Sequence, residues 1–171
     1  MAFYIVVRGP LGIGKSTVSE RLAKVIGAEY VSVDRILDEP GVEEWDDEAG
    51  HYSERCFLRT SELAAERART FLDRGTPVIF DGNFYWRSQV ADLVRRLNFP
   101  HYVFTLKAPL DLCIQRDRQR DPPHGREATE SVYSKSTEFD WGIGIDATQP
   151  VESVVREIAS HLSRGPAQQE R

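Results

Sequence analysis

Short apolar runs alternate along the chain with segments whose apolar residues recur every three or four positions. The apolar runs are of strand length, and most are followed by a segment with helical spacing. This alternation is typical of an α/β domain in which a parallel sheet is covered by helices on both faces. The predicted strands are residues 3–7, 30–33, 78–80, 101–106 and 143–146.

Helical spacing fills the intervals between these strands. Gly27 and Gly75 follow the first two helices, and glycine readily ends a helix. Residues 38–50 lack either pattern and are predicted to be a loop. The predicted helices begin at about Lys15, at about Ser53 and at Pro109, and two more cover residues 90–97 and 151–162.

Size and composition fit one domain. The 171 residues, of which 40% are hydrophobic, can bury one core. We expect a domain over residues 1–163 and a disordered polar tail over residues 164–171. Cys56 and Cys113 match no metal-ligand spacing and are expected to be ordinary buried thiols of a reduced compartment. The apolar stretch at the start is too short for a signal peptide or a membrane span, so we expect a cytoplasmic protein without a membrane partner.

The net charge argues against one class of partner. It is −5, from 22 basic and 27 acidic residues. Such a chain lacks the global basic field that drives sequence-independent binding of nucleic acids. Nucleic acid is therefore disfavoured, and a local basic patch around Arg87, Arg95 and Arg96 stays an open alternative.

A glycine-rich motif follows the first predicted strand and opens the first predicted helix. Its pattern G-x-x-x-x-G-K-S is met by Gly9, Gly14, Lys15 and Ser16. Glycines let successive backbone N–H groups point into one concavity, and the helix adds the positive end of its dipole. Lys15 is expected to bridge the β- and γ-phosphates of a nucleotide, and the Ser16 hydroxyl to bind Mg²⁺. The residues expected to hold the nucleotide here are Gly9, Leu11, Gly12, Ile13, Gly14, Lys15, Ser16 and Thr17.

Carboxylates stand where predicted strands end, which is where parallel sheets bind ligands. Asp81 has the pattern of a Mg²⁺ carboxylate, and a turn cap before Gly82 is the alternative. Asp34 is a candidate base for a substrate hydroxyl or a metal-shell residue, and a helix cap is the alternative. Asp146 is expected to be a cap or turn residue, although its loop could form one wall of a base pocket.

Cationic side chains cluster in residues 117–131, which hold two consecutive prolines and a glycine and are predicted to be a mobile surface flap. Arg116 and Arg120 share one helix face and could grip a nucleotide together, closing over the phosphates in flight. A solvated, salt-bridged helix end is the alternative, because acids are interleaved. The candidate cations are Arg116, Arg118, Arg120 and Arg126.

Four pieces of sequence resemble the small P-loop kinases. The group includes adenylate-kinase-like, shikimate and gluconate kinases, and the nearest motif likeness is to the kinase domain of polynucleotide 5′-kinases and related uncharacterised AAA-type kinases. The likeness spans nearly the whole chain. The matching pieces are residues 9–17, 32–35, 79–83 and 113–120, with the prolines and Tyr133 beyond.

The resemblance implies a three-layer P-loop NTPase fold: a five-stranded parallel sheet with the first strand central, helices on both faces, and a mobile lid over about residues 117–133. It also implies a substrate-binding insertion over about residues 35–60. By resemblance, Asp34 is the general base, and Arg116 and Arg120 contact the nucleotide. The implied catalytic residues are Lys15, Asp34, Arg116 and Arg120, and the implied acceptor residues are Asp34, Arg35, Asp81, Asn83 and Arg126.

These observations predict an ATP-dependent, Mg²⁺-requiring kinase, monomeric or homodimeric, whose acceptor is a small hydroxyl compound such as a nucleoside, nucleotide or sugar. Residues 36–53 hold seven acids and no Lys or Arg, and such an acidic segment is a poor neighbour for a nucleic-acid backbone. A polynucleotide 5′-hydroxyl is therefore the alternative acceptor and not the first choice. A nucleotide-binding ATPase switch is the alternative of another class. Trp45 and Tyr52 are expected to anchor the acidic loop, and residues 84–86 are a candidate acceptor wall.

Overall fold

The computed structural model of the chain describes residues 2–42, 45–46 and 51–163. The predicted disordered tail, residues 164–171, lies outside the described residues, as do several acids of the predicted loop. The strands are β1 (Tyr4–Arg8), β2 (Glu29–Ser32), β3 (Trp45–Asp46), β4 (His51–Tyr52), β5 (Val78–Gly82), β6 (His101–Lys107) and β7 (Ile143–Asp146). The helices are α1 (Lys15–Ile26), α2 (Val33–Leu37), α3 (Glu54–Asp73), α4 (Arg87–Leu97), α5 (Leu110–Arg118), α6 (Arg126–Ser136) and α7 (Val151–Leu162).

Five of the strands form one parallel sheet in the order β2-β5-β1-β6-β7. The predicted fold class, with the first strand at the centre, is confirmed. The chain moves to one side of β1 for β2 and β5 and to the other side for β6 and β7. The loop after β1 therefore lies at the point where the strand order switches, which is where open α/β sheets bind ligands.

Side chains of β1 alternate between two cores, one on each face of the sheet. Tyr4 and Val6 pack with residues of α3 and α4, whereas Ile5 and Val7 pack with residues of α1 and α7. All of these β1 side chains are fully buried. A strand covered on both faces has no solvent-facing position, which explains its unbroken apolar sequence.

The second predicted strand is one residue too long at its end. The hydroxyl of Ser32 accepts a hydrogen bond from the backbone N–H of Arg35 at 3.4 Å, so Ser32 caps α2 and the strand stops there. Asp34 therefore lies in the first turn of a short helix, two residues beyond the strand end, and is not the cap itself.

Two segments predicted to be irregular contain regular structure. The predicted loop over residues 38–50 contributes β3, which pairs antiparallel with β4. The predicted flap is also partly wrong, because its second half is helix α6, on which Thr129 and Val132 are buried. The segment between α5 and α6, residues 119–125, is called the lid turn below.

Cys56 and Cys113 are buried free thiols, as predicted. Within the described part of the chain, none of the helices combines the length and apolar character needed to cross a bilayer.

Candidate functional site

A cavity of about 700 Å³ opens at the carboxyl ends of the parallel strands. The glycine loop and the start of α1 form its floor, and α2 and β4 form one side. The end of α5, the lid turn and α6 lie on another side, and the loop from β7 to α7 completes the wall. Of the residues predicted to hold the nucleotide, Leu11 to Thr17 line this cavity, whereas Gly9 is not among the lining residues.

Two glycines give the loop its shape. Gly12 has a φ of 73°, and a Cβ at that position would collide with the carbonyl of Cys113 on α5. Gly14 has a φ of 100° and forms the N-terminal cap of α1. Side chains rarely adopt these backbone conformations, so the sequence pattern reflects a steric need at both positions.

Lys15 lies at the start of α1 with only 6% of its surface exposed. Its Nζ donates hydrogen bonds to the carbonyl of Pro10 at 3.0 Å and to Asn83 Oδ1 at 2.9 Å. The same nitrogen lies 3.9 Å from Asp34 Oδ2. The ammonium group is therefore held at the cavity floor between the glycine loop and the ends of two strands.

Asp34 lines the cavity with 31% of its side chain exposed. Burial of the carboxylate raises the pKa of Asp34 to about 6, with a further rise caused by Asp81 and an opposing effect of Lys15. The backbone N–H of Asn83 donates to Asp34 Oδ1 at 3.1 Å and also favours the charged form. A carboxyl group with a pKa near 6 can accept a proton at neutral pH.

Asp81 is fully buried at the end of β5. Its two oxygens accept hydrogen bonds from Ser16 Oγ at 2.7 Å and from the Tyr30 hydroxyl at 3.0 Å. Burial, followed by the charge of Asp81, raises the pKa of Tyr30 to about 12, so the phenol stays protonated and donates. Tyr30 carries no motif and was not predicted to be a site residue.

The pair of Ser16 and Asp81 fits a Mg²⁺ site, because Ser16 lines the cavity with a hard oxygen ligand and Asp81, which is buried and does not itself line the cavity, accepts the hydrogen bond of that hydroxyl. In the described ranges, no group of three or more His, Cys, Asp or Glu side chains could hold a metal. An ion at this position would therefore take its other ligands from nucleotide phosphates and water, as Mg²⁺ commonly does.

Arg116 and Arg120 both line the cavity, but the predicted shared helix face is wrong, because α5 ends at Arg118 and Arg120 lies in the lid turn. Arg116 Nη1 donates to the carbonyl of Ile13 at 3.1 Å and to the carbonyl of Ala147 at 3.0 Å. It thereby joins the glycine loop to the loop that follows β7. Arg120 is exposed at the rim.

The lid turn contributes a further lining residue, His124, which was not predicted. Its ring lies 2.8 Å from the carboxylate of Asp117, one of the acids that suggested a solvated helix end as the alternative. For Asp117 that alternative does not hold, because the residue is only 2% exposed. In the sequence, this contact is indicated only weakly, by an acid that precedes the Pro-Pro-His-Gly segment.

Three predicted or candidate cations have other placements. Arg126 is 62% exposed, pairs with Glu130 of the same helix at 2.7 Å, and is not among the lining residues. Arg118 is exposed and also does not line the cavity. Arg35 lines the rim of the cavity, but its guanidinium is 70% exposed and lies 3.4 Å from Glu20.

Asp146 has the predicted role of a turn residue. Its carboxylate accepts hydrogen bonds from the backbone N–H of Thr148 at 2.9 Å and from the Thr148 hydroxyl at 2.7 Å. Ala147 and Gln149 of the same loop line the cavity. The predicted contribution of this loop to a pocket wall therefore fits the structure.

The arginines of the predicted basic patch are engaged with other side chains. Arg95 and Arg96 both pair with Asp92, and Arg96 also lies 3.3 Å from Glu62. The guanidinium of Arg87 lies over aromatic rings of the segment that follows α6. Two of the three arginines are therefore paired with carboxylates, which weakens the attraction of this surface for a nucleic-acid backbone.

The predicted acceptor wall is only partly present. Tyr85 lines the cavity beside Tyr52, and its hydroxyl accepts a hydrogen bond from the backbone N–H of Tyr52 at 3.0 Å. Phe84 is fully buried with a φ of 44°, and Trp86 is not among the lining residues. The side chain of Trp45 lies outside the described part of the structure.

Arg8, at the end of β1, is fully buried. Its guanidinium donates to the carbonyls of Phe84 and Phe139, to the Thr105 hydroxyl, and to the carbonyl of Ser136 at 2.7 Å. Burial lowers the pKa of Arg8 to about 10. Arg8 therefore ties the end of β1 to the C-terminal end of α6.

Comparison with protein families and curated proteins gives one match. A family model described as an AAA domain matches residues 5–138, which is most of the chain and includes every cavity element from the glycine loop to α6. No curated protein matches the chain at a significant level.

Solved structures of small kinases share the fold. An APS kinase from Mycobacterium tuberculosis, in complex with AMPPNP and APS, is 14% identical with a TM-score of 0.76 over 95% of this chain and 98% of that chain. A sugar kinase from Janibacter sp. HTCC2649 is 19% identical with a TM-score of 0.73 over 100% of both chains. A gluconokinase from Sinorhizobium meliloti 1021 is 20% identical with a TM-score of 0.69 over 94% of this chain and 91% of that chain. The predicted likeness to the small P-loop kinases is confirmed at the level of the fold.

Proposed function

Because the chain belongs to the AAA domain family and has the fold of small P-loop kinases, we propose that it is an ATP-dependent kinase that transfers the γ-phosphate of ATP to a hydroxyl group of a small molecule. One observation carries the proposal: the ammonium of Lys15 lies 3.9 Å from the carboxylate of Asp34 in a single cavity. A phosphate-binding cation and a base for a hydroxyl therefore meet at one point, as phosphoryl transfer requires.

On the nucleotide side, backbone N–H groups of the glycine loop and Lys15 hold the phosphates, since the loop opens α1 and adds the positive end of its dipole. Ser16 and Asp81 would hold a Mg²⁺ ion with the nucleotide. Bound there, Mg²⁺ neutralises charge on the phosphate oxygens. Arg116 and Arg120 supply cations from the α5 side and draw the lid turn over the phosphates.

On the acceptor side, Asp34 takes the proton of the hydroxyl group. The hydroxyl oxygen forms a bond to the γ-phosphorus, and the bond from that phosphorus to the β–γ bridging oxygen breaks, so that ADP leaves. The raised pKa of Asp34, about 6, suits this step, because the group is ionised at neutral pH yet basic enough to accept a proton. Lys15 offsets the charge that gathers on the transferred phosphoryl group.

Two other functions are alternatives. Transfer to the 5′-hydroxyl of a polynucleotide uses the same machinery, but the paired arginines on α4 and the net charge of −5 argue against it. An ATPase switch would use the nucleotide half of the cavity alone. The apolar part of the cavity wall, which includes Leu11, Tyr52 and Val132, favours the kinase, because a water molecule as acceptor would need no such surface.

A transfer screen tests the proposal. Protein and Mg²⁺-ATP labelled at the γ-phosphate are incubated with nucleosides, nucleotides, sugars, aminoglycosides and a 5′-hydroxyl oligonucleotide, with a control that contains no acceptor. We expect label on a small molecule and none in the same reaction with Lys15→Ala. Label on the oligonucleotide alone would favour the polynucleotide kinase, and label released only as free phosphate would favour the switch.

A further inference from the structure

One part of the cavity wall is largely apolar, and it is formed by Leu11 of the glycine loop together with residues from β4, from α6 and from the segment after β5. Leu11, Tyr85 and Val132 line the cavity and belong to one apolar cluster in which Leu37 is also buried. Tyr52 packs against the same cluster and lines the cavity as well. The acceptor half, defined as these residues with Asp34, Asp38 and Ala128, therefore offers aromatic and aliphatic surface.

The charges in the acceptor half are negative. Asp38 lines the cavity as a second carboxylate beside Asp34, close enough that its charge adds to the rise in the pKa of Asp34. The whole sequence from residue 36 to residue 54 contains no Lys or Arg. This segment therefore brings no ammonium or guanidinium group to the acceptor.

The cations that line the cavity among the described residues have other partners or roles. Arg35 lines the cavity at its rim, but its guanidinium lies 3.4 Å from Glu20 and 5.8 Å from the centre of the Tyr30 ring. Lys15, Arg116 and Arg120 are committed to the nucleotide phosphates in the proposed function, and His124 is paired with Asp117.

A phosphate or carboxylate on the acceptor would face two carboxylates here without a dedicated partner. Proteins bind such anions with forked arginines, lysines or helix N-termini, and a like charge in a partly desolvated site is disfavoured. A neutral or amine-bearing compound meets no such penalty, and the phenol rings can pack against a ring or bind a cation over their faces.

From this distribution of charge and apolar surface, we propose that the acceptor is a hydroxyl compound without phosphate or carboxylate groups, with a ring or other apolar face that packs against Tyr52 and the apolar wall beside it. An amine on the acceptor is tolerated and faces Asp38. This inference rests on the proposed kinase function and narrows its substrate class.

Matched acceptors that differ in charge alone test the class. A nucleoside and its 3′-monophosphate carry the same free 5′-hydroxyl, and glucosamine and glucose 1-phosphate make a second pair, two pyranoses of opposite charge that both carry a free 6-hydroxyl. We expect kcat/KM for the uncharged or amine-bearing member of a pair to exceed that for the anionic member by at least about tenfold, which corresponds to about 1.4 kcal/mol. If neither member of a pair is measurably phosphorylated, calorimetry on the protein loaded with Mg²⁺-AMPPNP must show that the uncharged or amine-bearing member binds more tightly than the anionic member.

Equal or better use of the anionic members would overturn this inference while leaving the kinase function intact. Absence of any preference in both transfer and calorimetry would overturn it as well. Release of free phosphate alone, with no acceptor labelled, would instead remove the proposed function together with this inference.

Charge reversal at Asp38 tests whether the acceptor half of the cavity causes the preference against anionic acceptors. Asp38→Lys should raise kcat/KM for the nucleoside 3′-monophosphate by about tenfold relative to the nucleoside, because a cation then stands in the acceptor half. Glu66→Lys makes the same charge change at an exposed position of α3 outside the cavity and should leave the ratio unchanged. A selective loss of activity toward the 3′-monophosphate in Arg35→Gln would mean that Arg35 binds an acceptor anion, and would overturn the inference.

Discussion

The carboxylate of Asp117 on α5 holds the lid turn through His124, whose ring Nδ1 lies 2.8 Å from Asp117 Oδ1. The backbone N–H groups of His124 and Gly125 donate to the same carboxylate at 3.2 and 3.0 Å. An ionised carboxylate only accepts hydrogen bonds, so the ring Nδ1 carries a proton and donates. The imidazole is thereby fixed along the cavity wall, and Asp117 positions the lid turn over the nucleotide half.

Asp117→Asn should loosen the lid turn. Burial alone would raise the pKa of Asp117, but the hydrogen bonds from His124 and Gly125 hold it below the usual range, so the charged form is the one that the fold stabilises. Loss of one charge-assisted hydrogen bond is worth about 1.5 kcal/mol, and we expect KM for ATP to rise by about tenfold. Asp121→Asn, in the exposed part of the same turn, is the control. Equal kinetics of the two variants would contradict the holding role of Asp117.

The lowered pKa of Asp117 also determines how the stability of the fold changes with pH. Because the folded-state pKa lies below the ordinary value, the stabilisation is present at neutral pH and is lost as the pH falls through the folded-state pKa. Thermal unfolding of the wild-type chain and of Asp117→Asn should therefore differ at pH 7 and converge in strongly acidic buffer.

Lys15→Ala should abolish transfer while the chain still folds. The ammonium lies at the cavity floor and contacts a loop carbonyl and Asn83, so its loss removes the cation nearest to the phosphates. We expect kcat to fall by about 100-fold or more. Lys24→Ala, at an exposed position of the same helix, is the matched control. Steady-state kinetics and circular dichroism of both variants would check this, and turnover retained by Lys15→Ala would refute the central role of the loop.

Local pattern was enough to predict the sheet and the phosphate loop. β1 has a continuous apolar sequence because both of its faces are buried, and the glycine loop is set by steric needs at Gly12 and Gly14. These features depend on residues a few positions apart. The end of β2 was misplaced by one residue, because one Ser32 hydrogen bond decided between strand and helix.

The parts that sequence did not predict depend on long-range contacts. The Arg8 side chain donates hydrogen bonds to carbonyls that lie 76 and 131 positions further along the sequence. The sequence near Arg8 therefore gives no indication that it is buried. Tyr30 reaches Asp81 only because β2 and β5 are neighbours in the sheet. A sequence motif identifies residues that contact a ligand, but it does not identify the distant residues that position those site residues.

Arg8→Met should destabilise the fold more than loss of an exposed arginine. The variant keeps a similar volume but leaves buried carbonyls of Phe84 and Ser136 without their donor. Since each unsatisfied buried group costs about 1–3 kcal/mol, we expect the free energy of unfolding to fall by about 3 kcal/mol. Urea denaturation of Arg8→Met and of Arg55→Met, an exposed position on α3, measures the difference. Similar unfolding midpoints for the two variants would show that the buried guanidinium is dispensable.

Arg120 and Arg118 provide a paired test of the cationic lid. Both are exposed and lie two residues apart, but only Arg120 lines the cavity. Arg120→Ala should raise KM for ATP or lower kcat by about tenfold or more, whereas Arg118→Ala should do neither. Kinetics with varied ATP at saturating acceptor distinguish the two effects. If both variants behave alike, Arg120 is a solvated surface charge like its neighbour.

Asp34→Asn separates a base from a residue of the metal shell. As a base with a pKa of about 6, Asp34 must be ionised to act, so kcat/KM for the acceptor should rise with pH and level off above that value. The variant should lose about 100-fold or more of the rate, lose this pH dependence, and keep its affinity for Mg²⁺-ATP. Weakened nucleotide binding with a retained pH profile would instead assign Asp34 to the metal shell.

Stability gives an independent check of the same carboxylate. In the ligand-free protein the folded-state pKa lies above the ordinary value, so the native state holds the proton more tightly and stability falls as the pH rises from about 4 toward 6. Asp34→Asn removes this loss, so its melting temperature should equal that of the wild type at pH 4 and exceed it at pH 7. The burial that makes Asp34 a stronger base also destabilises the fold at pH 7. If Lys15 mainly stabilised the carboxylate, the wild type would instead melt at a higher temperature than Asp34→Asn at pH 7.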